Sequence, residues 1–251
     1  MIFIGPLAAD ADAPLARPHP LAKIAAGFVL MLGLFVTVDL VTSALLGIVL
    51  LIAVALSGLR LAALARRAAP VAIGACGVGF FNALLGGTGL VGGAAIALRL
   101  VGISLAGILA VATIDPTELA DALVEHLHAP SRFVVGALAA SRLFPLFSRE
   151  WDTIALARRA RGIESDRSVV DRLASFPGRS LGMLIAAIRR ATRLALAMDA
   201  RGFGSRDCRT LARPRSFVRS DAALVSAAAV LVLGATATSV ALGTWRPLLS
   251  F

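Results

Sequence analysis

The chain has 251 residues, of which 58% are apolar and only 16% are charged, and its mean hydropathy is +0.86. A soluble domain of this length carries more surface charge, so these values exclude an ordinary soluble protein and indicate that lipid surrounds much of the chain. The net charge of +10 is concentrated in residues 116–219, where 18 Arg stand against 10 Asp and Glu. The composition therefore predicts a membrane protein with a basic insert.

The single lysine, Lys23, excludes one large class of function. The phosphate-binding loop of nucleotide hydrolases needs Gly-Lys-Ser/Thr, whereas Lys23 lies between Ala22 and Ile24, so the chain cannot hydrolyse ATP by that route. No catalytic Ser/His/Asp or Cys/His set is recognisable, and we do not expect an enzyme. The three histidines are not accompanied by the cysteine or carboxylate ligands of a metal site, so we interpret them as solvated or interfacial residues. They are His19, His126 and His128.

Two membrane spans are predicted near the amino terminus. Residues 1–22 lack the apolar length and cleavage pattern of a signal peptide and are interpreted as a cytoplasmic tail. The runs 24–38 and 40–59 are uncharged, and the first helix is expected to extend back to Lys23. Because a helix needs about 20 residues to cross a bilayer, we predict one hairpin that turns near residues 37–43.

Three further spans follow from the next apolar runs. Residues 68–98 carry no charge, but glycines at 86–93 interrupt them. Glycine at this density is unfavourable inside a helix, so we predict a loop that separates a third span, about 70–85, from a fourth, about 94–114. The last span is 222–244. Five spans result.

Arginine positions predict the orientation of these spans. Arg60, Arg66 and Arg67 follow the hairpin on a predicted amphipathic connector, on the same side as the basic insert. Positive loops stay in the cytoplasm, so the amino terminus is expected inside. Arg99, near the start of the fourth span, can snorkel to the interface or pair within the bundle, and snorkelling is favoured.

The basic insert is predicted to contain three helices. The first starts at Asp115, a capping residue followed by Pro116, and ends at Pro130. The second starts near Ser131, is bent or broken near Pro145 and ends at residue 161. The third follows a polar link at 163–171 and a turn at 176–178, and ends at residue 201. These helices are expected to lie in the cytosol or against the membrane surface, with a membrane hairpin at 133–147 as the alternative.

The tripeptide Ala-Arg-Gly ends two of these helices, as Ala160-Arg161-Gly162 and as Ala200-Arg201-Gly202. Glycine just past the last helical residue is a common C-terminal stop, because it enters the left-handed conformation without a Cβ clash. Each arginine can therefore cap the free carbonyls of its own helix, or it can reach a carboxylate on another protein.

Three features together resemble the transmembrane T component of energy-coupling factor (ECF) transporters. They are the paired Ala-Arg-Gly tripeptides, the run Asp115-Pro116-Thr117-Glu118-Leu119-Ala120-Asp121-Ala122-Leu123, and Pro18-His19-Pro20-Leu21-Ala22-Lys23 before the first span. The resemblance extends over residues 14–244. It predicts an all-α membrane protein with a tail (1–22), four spans (23–114), a coupling domain (115–219), and a last span with a short outside tail (220–251).

The resemblance also implies partners. An importer of this kind takes up a vitamin or a metal ion; a separate integral membrane S component binds the substrate, and two ABC-type ATPases, identical or different, supply energy. The implied ATPase-docking residues are Ala160, Arg161, Gly162, Ala200, Arg201 and Gly202. ATP and Mg would bind to the ATPases, with no cofactor in this chain, and the location would be the bacterial inner membrane.

Two other functions stay open from the residues alone. The chain can be a membrane-anchored scaffold or regulator whose basic insert holds anionic lipid or an unrelated cytosolic partner. It can also be a conventional permease that binds its own substrate. A nucleic-acid partner is not expected, because few aromatic residues are interleaved with the arginines.

Overall fold

The computed structural model describes residues 15, 18–87, 89–164, 168–203 and 216–245. Within these residues the chain forms eight helices, which confirms the predicted all-α fold. They are α1 (Pro20–Val36), α2 (Leu40–Leu56), α3 (Leu61–Leu85), α4 (Gly89–Ala112), α5 (Pro116–His126), α6 (Ser131–Ala160), α7 (Val169–Ala200) and α8 (Arg219–Ala241). Most of the predicted tail at 1–22 and of the segment at 204–219 lies outside the described residues.

The five predicted spans correspond to α1, α2, α3, α4 and α8. Of the described helices, α3, α4 and α8 are long and apolar enough to cross a membrane, with 25, 24 and 23 residues. The apolar helices α1 and α2 have 17 residues each. That length is the lower limit of about 17 residues for a span.

The chain divides into two compact units. The first comprises Met1–Ala122 and Arg215–Phe251, and the second comprises Leu123–Pro214. The second unit therefore lies within the predicted coupling domain, 115–219, whose role stays a prediction.

In the first unit, α1, α2, α4 and α8 enclose an apolar core. Leu34, Leu46 and Leu50 are completely buried at its centre, together with Ala106 of α4 and Ala235 of α8. Small residues such as these alanines let helix backbones approach closely. Close packing of this kind drives helix association in a membrane, where lipid is as apolar as the side chains.

The turn between α1 and α2 lies where the sequence predicts it. Asp39, which is 3% exposed, caps α2 by accepting the backbone N–H of Thr42 at 2.7 Å. The same carboxylate oxygen accepts the hydroxyl of Ser239 in α8, also at 2.7 Å. One buried carboxylate thus both starts α2 and ties the hairpin to α8.

The predicted glycine loop is shorter than expected, because α4 already begins at Gly89 and includes Gly93. The reason is the close contact between α3 and α4: a Cβ atom on Gly79 would lie 2.5 Å from the carbonyl oxygen of Gly93. Glycine in a helix interior costs about 1 kcal/mol, and tight backbone packing in lipid offsets that cost.

Three helices continue through a proline at which the sequence predicted a boundary. The carbonyl that each proline leaves without its N–H partner belongs to an exposed residue, where solvent can satisfy it. Because these helices are continuous, the turn at 176–178 and the alternative membrane hairpin at 133–147 are wrong, and of the bend or break predicted near Pro145 the break is excluded. The predicted connector with Arg60, Arg66 and Arg67 runs into the third span without a boundary, because α3 already begins at Leu61. The prolines are Pro70 in α3, Pro145 in α6 and Pro177 in α7.

Arg99 pairs with the carbonyls at the end of α1, which agrees with the alternative that the sequence left open beside snorkelling. Its Nε–H donates to the carbonyl of Leu34 at 2.7 Å, and its Nη2 donates to the carbonyl of Phe35. The guanidinium also lies over the ring of Phe35, 5.5 Å from the centroid. These carbonyls belong to the last turn of α1, which has no further helical donors and favours a cation.

His19 and Lys23 are buried, with exposed fractions of 1% and 5%. Of the two alternatives given for His19, solvated is therefore wrong and interfacial stays a prediction. The backbone N–H of His19 donates to the carboxylate of Asp221 at 2.7 Å, and the ammonium of Lys23 donates to the carbonyl of Thr113 at 3.0 Å. The first helix does extend back past Lys23, because Pro20 is its first residue. Protein partners therefore serve the polar groups at this end of α1.

The start of α5 agrees with the predicted cap. The carboxylate of Asp115 accepts the N–H of Thr117 at 2.6 Å, and Pro116 is the first helical residue. The helix ends earlier than predicted, at His126, and His128 has a φ of 52°. A residue in this left-handed region cannot continue an α-helix, so the chain turns before Pro130.

Candidate functional site

Both Ala-Arg-Gly tripeptides lie at helix C-termini, as predicted. In each, the alanine is the last helical residue and the glycine has a positive φ, 72° at Gly162 and 75° at Gly202. Glycine adopts this conformation without a Cβ clash. We call Ala160-Arg161-Gly162 the first tip and Ala200-Arg201-Gly202 the second tip.

Backbone hydrogen bonds close both tips in the same way. At the first tip, the N–H of Gly162 donates to the carbonyl of Arg159 at 2.9 Å, and the N–H of Ile163 donates to the carbonyl of Arg158 at 3.1 Å. This is the Schellman pattern, which satisfies the last helical carbonyls with backbone donors. The bonds at the second tip are Gly202 to Asp199, 2.9 Å, and Phe203 to Met198, 3.0 Å.

The arginine side chains of the tips are exposed and take no part in this capping. Within the described residues, neither the guanidinium of Arg161 nor that of Arg201 makes a hydrogen bond or an ion pair. The backbone already fills the capping role that the sequence left open for them. Each tip therefore presents a permanent positive charge with five unengaged donors.

A buried carboxylate follows the first tip. The side chain of Glu164 is 1% exposed and accepts the Nε–H of Arg158 and, at 2.7 Å, the Nε–H of Arg179 in α7. Burial alone would raise the pKa of Glu164, but the hydrogen bonds and charges of the two arginines outweigh burial and hold the pKa below its usual value. We call Arg158, Glu164 and Arg179 the brace.

Gly178 gives the brace the space that it needs. A Cβ atom at this position would lie 2.9 Å from the guanidinium carbon of Arg158, and closer still to one of its nitrogens. A larger residue would push Arg158 away from Glu164. The Pro177-Gly178 pair, which sequence reasoning interpreted as a turn, is thus the place where α7 receives a side chain of α6.

Near the first tip, α6 and α7 run antiparallel. Arg190 of α7 pairs with Glu150 of α6 at 3.2 Å. Further along α6, Arg158 shares Glu164 with Arg179, which lies earlier in α7. Antiparallel helices have their C-termini at opposite ends, so the two tips do not meet.

The second tip lies far from the brace. Arg201 is 22 residues beyond Arg179, which corresponds to about 33 Å along α7 at about 1.5 Å per residue. Residues 191–197 before this tip are all exposed. Within the described part of the chain, no ion pair holds the second tip.

One face of α7 is apolar and exposed. Leu181, Leu184, Ile185 and Ile188 follow helical spacing and have exposed fractions between 48% and 60%. An apolar face of this size is typical of a surface that lipid or another protein covers.

Comparisons with known proteins decide the family. Residues 12–210 match the family described as CbiQ, Cobalt transport protein. The chain belongs to this family. It is also similar to curated proteins named Energy-coupling factor transporter transmembrane protein EcfT, and this CbiQ-family chain is accordingly a transmembrane T component of an ECF transporter.

The EcfT relatives cover this T component to different extents. The protein of Heliobacterium modesticaldum is 28% identical over 246 residues, which are 88% of this chain and 92% of that protein. The protein of Staphylococcus aureus is 34% identical over 131 residues, 49% of this chain and 48% of that protein. The protein of Bacillus subtilis is 30% identical over 162 residues, 61% of this chain and 60% of that protein. The match thus covers about half of one relative and nearly all of another.

The structure bears differently on the parts of the predicted site. Arg161 and Arg201 lie at helix ends as expected, and the docking of ATPases there stays a prediction. Sequence reasoning missed the brace, although Glu164 lies only two residues after Gly162. Its second partner, Arg179, is 15 positions away, and only the packing of α7 against α6 brings the two together.

Proposed function

We propose that this T component couples two ABC-type ATPases to a separate substrate-binding membrane subunit in a bacterial importer of a vitamin or a metal ion. The ATPases bind ATP and Mg, and this chain is a non-catalytic subunit. The amino terminus, α6 and α7 face the cytosol. The concentration of arginine in the predicted cytosolic segments supports this orientation.

The observation that carries the proposal is the pair of exposed guanidinium groups on equivalent helix ends. Arginine suits a docking role because it is always charged and binds a carboxylate through two parallel hydrogen bonds. A single acceptor cannot take both arginines, since Arg201 lies about 33 Å along α7 from the brace. Two subunits of a symmetric or nearly symmetric pair offer two equivalent acceptor sites.

The length of α7 supports a mechanical role. Its 32 residues correspond to about 48 Å. When ATP closes the ATPase pair, the two acceptor sites change their separation and displace the tips. We propose that the substrate-binding subunit lies against the apolar face of α7 and receives this displacement.

Substitution of the two arginines tests the proposal. We expect Arg161→Ala and Arg201→Ala each to weaken ATPase association and ATP-coupled uptake in reconstituted vesicles, with a larger loss in the double variant. Removing one member of a desolvated charge pair costs about 2 kcal/mol or more, which is a loss of about 30-fold in affinity. Lysine at these positions should restore only part of the affinity, because an ammonium cannot bind a carboxylate in the bidentate geometry of a guanidinium.

Arg193→Ala is the matched control. Arg193 is an exposed arginine of α7 outside the tips, and we expect its removal to leave association and uptake unchanged. Full uptake by the Arg161→Ala, Arg201→Ala double variant would exclude the proposal. Purification without a nucleotide-hydrolysing pair would favour a scaffold or regulator, and substrate binding by the isolated chain would favour a permease.

A further inference from the structure

A buried polar cluster lies at one end of the first unit. It consists of His19, Lys23, Thr113 and Asp221, and we call it the junction. His19, Lys23 and Asp221 are 1%, 5% and 3% exposed. Burying a charged group is costly unless it is well paired, so a cluster of this kind requires an explanation.

Asp221 joins the start of α8 to the start of α1. One carboxylate oxygen accepts the N–H of His19 at 2.7 Å, and the other accepts the N–H of Val218, the residue before α8, at 2.9 Å. The ring of His19 also lies against Phe217, with 5.5 Å between centroids. Both oxygens of one side chain thus hold two chain segments that are about 200 positions apart.

Lys23 joins the start of α1 to the end of α4. Its ammonium donates at 3.0 Å to the carbonyl of Thr113, the first residue after α4. Carbonyls at a helix C-terminus have no helical donors and attract a cation. The first turn of α1 therefore holds α4 through Lys23 and α8 through His19.

The position of the junction in the chain relates it to coupling. After Thr113 the chain enters α5 and passes from the first unit to the second at Ala122, and it returns at Arg215, three residues before Val218. Along the sequence, the two connections between the units therefore lie nine residues after Thr113 and three residues before Val218. Any displacement that passes along the chain from the second unit reaches the membrane helices at this place.

We propose that the junction is a clamp that makes α1, α4 and α8 respond as one body to movement of the coupling helices. This inference rests on the proposed function. Replacing buried ionic groups by apolar residues of similar volume often leaves stability unchanged or improves it, so stability alone gives little reason for charges here. Without the clamp, a displacement transmitted through α5 would move α4 alone. A displacement transmitted through the segment before α8 would move α8 alone.

The experiment compares uptake per ATP hydrolysed in the reconstituted complete transporter. Lys23→Met keeps the length of the side chain and removes its hydrogen-bond donors. Asp221→Asn keeps the shape of the side chain but leaves only one of the two acceptor oxygens. The loss of a hydrogen bond to a charged group changes an equilibrium constant by about tenfold. We expect both variants to keep ATPase association and hydrolysis and to lose about tenfold in uptake per ATP, while Lys23→Arg recovers most of it.

Asp39→Asn is the control, because Asp39 is an equally buried carboxylate in the same unit that lies away from both connections. We expect it to lower the melting temperature without changing uptake per ATP. Unchanged uptake per ATP in both Lys23→Met and Asp221→Asn would overturn the clamp. In that case the arginine variants of the tips would still lose uptake, so failure of the clamp is distinct from failure of the proposed function.

Hydrogen exchange on the unmodified transporter provides a second test that needs no variant to assemble. We expect the amides of His19 and Val218 to stay protected both without nucleotide and in an ATP-trapped state, because the clamp stays closed. Loss of protection in either state would show that the junction opens, and the clamp would be excluded.

Discussion

The two tips have the same local geometry but different support. Each ends in an exposed arginine and a left-handed glycine with the same pair of backbone bonds. The brace holds the first tip against α7, whereas the second tip follows a stretch of exposed residues. The backbone motif therefore determines how each arginine leaves its helix, and the tertiary contacts determine how firmly that helix end is held.

The largest expected difference between the tips comes from removing the centre of the brace. Glu164→Ala leaves Arg158 and Arg179 without their shared partner, and Arg179 is itself buried. We expect the free energy of opening at the amide of Ile163, measured by hydrogen exchange on the full chain, to fall by about 2 kcal/mol. The amide of Phe203, at the second tip, should not change.

Asp199→Ala is the corresponding change beside the second tip, where no described ion pair is lost. Its expected effect at either amide is below about 0.5 kcal/mol. Equal loosening of both tips by Glu164→Ala would contradict the difference in support.

Substitution of the glycine at each tip is expected to have a smaller effect, equal at the two tips. Gly162→Ala and Gly202→Ala each place a Cβ atom in the left-handed region, at a cost of about 1 kcal/mol. We expect the same loss of helix-end protection at both tips, because the backbone geometry is the same. A loss confined to one tip would show that the two ends differ locally as well as in their support.

A change of pH near neutrality has the smallest expected effect on the brace. The pKa of Glu164 is lowered in the folded chain, so the brace contributes fully above the unfolded pKa of about 4.3 and weakens as the pH falls through the lower folded value. Exchange protection at Ile163 relative to Phe203 should stay constant from about pH 8 to 5 and fall only below about pH 4. Glu164→Gln should abolish this dependence, and a decline between pH 5 and 7 would contradict it.

Local signals in the sequence located most helix ends. Glycine after an alanine-rich run identified both tips, Asp115 with Pro116 identified the start of α5, and Asp39 identified the first turn. In each case the residue caps backbone groups within a few positions, so the local pattern contains the interaction that sets the helix end.

The predictions that were wrong depended on contacts between distant segments. Gly93 is helical because α3 approaches it, and His19 is buried because α8 starts there. The hydrophobic periodicity of a single sequence carries no information on contacts between segments that are far apart in the chain. The brace was missed for the same reason.

Cross-linking from the tips is the most direct test of whether they dock onto ATPase subunits. A photoreactive residue at Ala160 or Ala200, each next to its arginine and exposed, is placed in the assembled transporter and illuminated. We expect each position to cross-link to an ATPase subunit, and a variant carrying both to join two ATPase copies to one T component. Cross-links from either position to the same chain, or to the substrate-binding subunit alone, would contradict it.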